Sequence, residues 1–142
     1  MNNIIFLDVD GVLNNTHTIT NTGDILDELC IIRLRTIIDQ TNAKIVMSSS
    51  WRARSDCHMD LLCEKFTKCG IDPYIIIGKT PILHKQTRND EIRQYLDINN
   101  KDIKNWIAID DMKLDVENSI LIDFKYGLVD DDVEKIIKHF NK

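Results

Sequence analysis

No apolar stretch of the chain reaches the length of about 20 residues that a membrane-spanning helix requires. The N-terminus, MNNIIFLDVDG, carries two carboxylates close to its start, unlike a secretory leader. A cytosolic setting away from the membrane is therefore expected. Excess positive charge is also missing: 18 Lys and Arg stand against 23 Asp and Glu, a formal charge of −5. Broad adhesion to nucleic acid or anionic lipid depends on neutralising phosphates, so this acidic chain (pI about 5.3) is not built for it. A local basic pocket for one phosphate remains compatible with that charge.

The cysteines Cys30, Cys57, Cys63 and Cys69 include no CxxC pair. Gaps of six turn successive residues to different helix faces, at ~100° per residue, so packing as reduced thiols is expected. A zinc site borrowing His58 fits no familiar ligand spacing. Internal repeats, low-complexity linkers and composition shifts are absent too. With 142 residues, 43% hydrophobic and 29% charged, the chain has the balance of one folded domain spanning residues 1–142.

What is present is a succession of short apolar runs that stop at polar residues. Ile4 to Leu7 reads as a strand buried on both faces and ends at Asp8-Val9-Asp10-Gly11. Ala43 to Met47 ends at Ser48-Ser49-Ser50, and Trp106 to Ile109 ends at Asp110-Asp111. Tyr74 to Ile77, closed by Gly78, and Ile120 to Ile122 read as two further strands. Between them lie helical rhythms. The first opens at Gly23-Asp24, with Asp24 as cap, and continues through Ile25, Leu26, Leu29, Ile32 and Ile37. The second carries Met59, Leu62, Cys63 and Phe66 and is ended by Gly70. Thr87 and Asp90 have capping-box spacing ahead of Ile92, Tyr95 and Leu96. The last helix begins with Asp130 to Asp132 and continues through Val133, Ile136, Ile137 and Phe140.

This alternation implies a doubly wound α/β fold, three layers deep, with about five parallel strands. Ligands of such sheets bind beyond the carboxyl ends of the strands. Asp8, Asp10, Ser48, Asp110 and Asp111 all fall at that edge. Converging carboxylates repel one another, and a divalent cation with oxygen ligands removes the conflict, which points to Mg²⁺. Each piece has a plainer reading as a turn, a cap or a solvated loop. Their joint occurrence, each directly behind a buried run, favours a catalytic edge.

Asp8-Val9-Asp10-Gly11-Val12-Leu13 resembles motif I, DxDGxL, of the haloacid dehalogenase superfamily, with Ser48 and Asp110-Asp111 resembling motifs II and IV. The segments SSSWR, RNDEI, IDD and GLVDDDVEKI are similar to the small domains of that superfamily fused to RNA-repair proteins. The SSSWR and IDD elements also resemble the phosphatase half of phage polynucleotide kinase/phosphatase. The resemblance implies a Rossmann-like fold and a phosphatase. Asp8 would be the nucleophile, forming an aspartyl-phosphate, and Asp10 the general acid and base, a residue that dehalogenases lack. Mg²⁺ would be held by Asp8, the backbone carbonyl of Asp10, Asp110 and Asp111. Ser48 and the Ser49 N–H would bind phosphate. The family also needs a cation beside the nucleophile; Arg88, just before the third helix, matches the narrower family best, with Lys79 and Lys85 as nearby competitors. Arg52 could grip the substrate phosphate, and Trp51 could stack on a base or pack in the core.

Neither Asn14 to Asp24 nor Ala53 to Gly78 leaves room for a cap domain. An open site of this kind suits a large phosphorylated substrate, with a terminal phosphate of nucleic acid favoured. A phosphatase for nucleotides or sugar phosphates is the alternative, and an idle module that binds metal or protein stands behind both.

Overall fold

The computed structural model describes residues 1–18, 25–53, 56–83 and 85–142, with the side chains of residues 52, 53 and 56 outside that description. Five strands form one parallel sheet: β1 (Asn2–Leu7), β2 (Lys44–Met47), β3 (Ile76–Lys79), β4 (Ile103–Asp110) and β5 (Ser119–Leu121), in the order β3-β2-β1-β4-β5. Four helices connect them: α1 (Glu28–Thr41), α2 (Asp56–Lys68), α3 (Arg88–Asn99) and α4 (Asp130–Phe140). The doubly wound, three-layer α/β architecture read from the sequence is the one observed.

Strand parity decides what each face buries, because successive side chains point to opposite sides. Ile5, Leu7, Ile45, Met47, Ile107 and Ile109 meet Ile31, Leu34 and Ile37 of α1, Leu62 and Phe66 of α2, and Val133 and Ile136 of α4. The even positions Ile4, Phe6, Val46 and Ala108 meet Ile92 of α3, with Tyr95 and Trp106 edge-on to Phe6. Three helices therefore cover one face and a single helix the other. No helix among the described residues is long and apolar enough to cross a membrane.

Several boundaries differ from the sequence reading. The proposed cap Asp24, with Gly23, lies outside the described residues, and α1 starts at Glu28 with Asp27 as its cap. Oδ1 of Asp27 accepts the backbone N–H groups of Leu29 (2.9 Å) and Cys30 (3.4 Å). That start sets the inward stripe at Cys30, Ile31, Leu34 and Ile37, and leaves Ile25, Leu29 and Ile32 largely exposed. The third strand begins at Ile76 rather than Tyr74. Asp72 accepts the Tyr74 N–H and Pro73 fixes the next φ, so Pro73–Ile75 form a 3-10 turn instead. The Thr87/Asp90 capping box of α3 is present, and Gly70 follows α2 at φ 88°. The cysteines are free thiols; Cys30 is buried, as a packing role requires, whereas Cys57 is exposed.

Asp27 also ties α1 to the loop after β1, since its Oδ2 accepts Asn15 Nδ2 (2.9 Å) and Thr18 Oγ1 (3.1 Å). Replacing it strips a cap and removes the acceptor of these buried donors. Asp27→Ala is expected to cost about 1–3 kcal/mol in urea unfolding. A loss below about 0.5 kcal/mol would show that the cap and the loop anchor are dispensable.

Candidate active site at the carboxyl edge of the sheet

Strand register assembles the site. Leu7 is level with Met47 on one side and with Ile109 on the other. The next residues, Ser48, Asp8 and Asp110, therefore stand in a row where β2, β1 and β4 end. The ladder continues through them: the Asp8 N–H donates to the Ile109 carbonyl (3.1 Å) and the Ser48 N–H to the Leu7 carbonyl (2.9 Å). All three share the parity of Phe6, Val46 and Ala108, which is the face covered by α3. Its first residue, Arg88, lies over the row. Arg88 Nη1 contacts Asp110 Oδ2 at 2.6 Å and Asp8 Oδ1 at 3.3 Å.

This pairing separates the three candidate cations. Lys79 and Lys85 are exposed, and among the described ion pairs it is Arg88 that joins the acidic cluster. Asp111 completes the cluster. Oxygens of Asp8, Asp110 and Asp111 all lie within 4.8 Å of one another, the one such group of candidate metal ligands among the described residues. Gly11 takes φ 82°, and a Cβ on it would collide with the Asp111 carboxylate. The glycine of the Asp-Val-Asp-Gly turn is thus required both by its backbone conformation and by the space that Asp111 occupies.

Asp8 and Asp110 are almost completely buried, at 4% and 1% exposure. Burial, and then the charge of Asp110, push the Asp8 carboxyl up to about 8 against the pull of Arg88. Burial raises Asp111 as well, and the two carboxyls share a hydrogen bond. Ionising all three acids against one guanidinium would leave unbalanced negative charge at this largely buried place. A hard divalent cation such as Mg²⁺ fits this donor set. Ser48 Oγ adds a second unmet demand: it is buried and has no hydrogen-bond partner.

Asp10 stands apart from the cluster. Its Oδ1 accepts Trp51 Nε1–H at 3.1 Å and Asn14 Nδ2 at 3.0 Å. Trp51 is fully buried with its ring edge-on to His58, so it is a core residue and not a stacking platform for a base. The Ser49 hydroxyl accepts the Trp51 backbone N–H, which shapes the 3-10 turn after β2. The Arg52 side chain lies outside the described residues. Sequence reasoning missed Asn14 and Asn15, both buried; two adjacent asparagines just behind Val12-Leu13 were the available signal.

The raised Asp8 carboxyl sets the sign of a pH effect. The folded chain keeps a proton there over a range in which the unfolded chain, near 3.8, has released it. Stability of the metal-free protein is therefore expected to fall as pH rises from about 4 to about 8. Magnesium, which compensates the ionised cluster, should raise Tm more at about pH 8 than at about pH 5. Thermal melts with EDTA or MgCl₂ check this; equal shifts at both pH values would contradict it.

Neither a curated protein nor a solved structure matched this chain. A family model described as the HAD domain in Swiss Army Knife RNA repair proteins matches residues 4–133. That span runs from Ile4, the first residue of the β1 apolar run, through all three strand ends of the site, into α4. The chain belongs to this family of haloacid dehalogenase-type domains.

Proposed function

We propose that the chain is a metal-dependent phosphomonoester hydrolase, that Asp8 is its nucleophile, and that a terminal phosphate of nucleic acid is its substrate. Residues 1–142 are read as one such domain without a cap. The observation that carries the reading is the row Ser48–Asp8–Asp110 with Arg88 over it. It sets the buried Asp8 carboxyl group beside the unpartnered Ser48 hydroxyl and within reach of the Arg88 guanidinium. The family, a hydrolase lineage of RNA-repair proteins, supports the class of substrate.

Asp8, Asp110, Asp111 and the backbone carbonyl of Asp10 are the groups that would hold Mg²⁺. The ion would supply positive charge between the carboxylate nucleophile and the phosphate oxygens. The chain's own groups divide the rest. Ser48 Oγ and the Ser49 N–H would donate to phosphate oxygens, meeting the demand of the buried hydroxyl. Arg88 holds Asp8 in place and offsets its charge, and Arg52, Lys79 and Lys85 remain candidates for grip on the substrate's outer phosphate.

In the first step an Asp8 oxygen forms a bond to phosphorus while the ester P–O bond breaks. The departing oxygen takes that electron pair and a proton from Asp10. In the second step Asp10 takes a proton from water, the water oxygen bonds to phosphorus, and the acyl-phosphate bond to Asp8 breaks to give inorganic phosphate. One difficult displacement is thereby split into two.

Asp8→Asn should lower turnover of an aryl phosphate by roughly three orders of magnitude or more while the melting curve stays cooperative. Unchanged turnover would mean the nucleophile is elsewhere. For the substrate, kcat/KM on a 3′-phosphorylated oligonucleotide is expected to exceed that on a nucleoside monophosphate by about tenfold or more. The reverse order would favour a small-molecule phosphatase. No turnover of either, together with retained magnesium binding, would leave a non-catalytic metal-binding module.

A further inference from the structure

Two donors from different parts of the chain reach the same oxygen of the Asp10 carboxylate. We propose that Trp51 and Asn14 are positioning residues for the general acid: their N–H groups hold Oδ1 of Asp10 and so fix the direction in which its carboxyl group points. The inference rests on the reading of Asp10 as the acid and goes beyond it by saying what aims the acid.

Each donor is itself fixed. The indole N–H can only donate, so its 3.1 Å contact with Oδ1 has one possible sense. The ring cannot turn away, because it is fully buried, edge-on to His58 with ring centroids 5.1 Å apart. The Asn14 amide is oriented by its other contacts. Its oxygen accepts the Gly11 N–H at 2.7 Å, and its nitrogen also donates to the Ile25 carbonyl at 2.8 Å. A flipped amide would set oxygen against both the Asp10 carboxylate and a carbonyl. The pair therefore restrains rotation about the Cβ–Cγ bond of Asp10.

The arrangement also links two parts of the site. Trp51 follows Ser48 by three residues, in the 3-10 turn that leaves β2. Asn14 follows Asp10 by four, in the loop that leaves β1. The turn that presents the phosphate-binding hydroxyl thus also delivers an N–H to the acid, and registers the leaving oxygen's proton source against the phosphate site.

The test compares two esters by kcat/KM, which reports the steps up to the phosphoenzyme. A 3′-phosphorylated oligonucleotide has an alkoxide leaving group that needs a proton, and 2,4-dinitrophenyl phosphate does not. Trp51→Phe keeps most of the ring, and benzothienylalanine at position 51 keeps the whole bicycle and lacks only the N–H. With either, the oligonucleotide value is expected to fall roughly 10- to 100-fold, and the dinitrophenyl value by less than about threefold. Benzothienylalanine decides the matter if the Phe variant melts early. Equal losses on both esters would make Trp51 merely structural, and no loss on either would make the hydrogen bond idle; both overturn the proposal alone. Wild-type protein that hydrolyses neither ester would overturn the phosphatase reading, and this inference with it.

Discussion

Two nearly inaccessible carboxylates, Asp8 and Asp110, stand side by side at the end of the sheet, with Asp111 in reach and one guanidinium to offset them. Buried like charges oppose folding unless something neutralises them. The rest of the site is arranged around that conflict. Parallel register puts the acids in adjacent rows, α3 brings Arg88 over them, and Gly11 makes room for Asp111 where a side chain would collide. A chain selected only for stability would have apolar or hydrogen-bonding groups at these positions. The cluster makes sense when a divalent cation shares the neutralisation with Arg88.

The asymmetry of the fold serves the same end. Three helices pack the odd-parity face into the larger core, while the even-parity face, which carries Ser48, Asp8 and Asp110 at its end, has α3 alone. The N-terminal end of that helix is therefore placed at the acidic row. Its capping box fixes the first turn, so the guanidinium leaves a rigid element instead of a loop.

Much of this was legible in the sequence for a physical reason. A strand buried on both faces is a run of apolar residues, and its end is abrupt. Asp8, Ser48 and Asp110 could therefore be placed at one sheet edge before any coordinates. Other features were not legible because they depend on tertiary choices. The phase of α1 depends on which Asp caps it, so Leu29 and Ile32 read as core yet lie outside. The edge strand β3 is four residues long and only half-buried, too weak a pattern to override the Asp72-Pro73 turn. Among three cations near α3 the resemblance favoured Arg88, but its contact with Asp8 and Asp110 depends on how the helix docks and could not be read from the sequence. Trp51 looked like either a stacking group or a core group. It is core, with its one polar atom turned to Asp10.

The central claim is that the strand-end acids share one cation beside a nucleophilic Asp8. A crystal grown with magnesium and beryllium fluoride tests it most directly. The account predicts an ion bonded to Asp8, Asp110 and the Asp10 carbonyl, with Asp111 direct or through water. It also predicts beryllium attached to an Asp8 oxygen and a fluoride at Ser48 Oγ. An ion bound elsewhere, or a mimic attached to another side chain while Arg88 still spans Asp8 and Asp110, would contradict it.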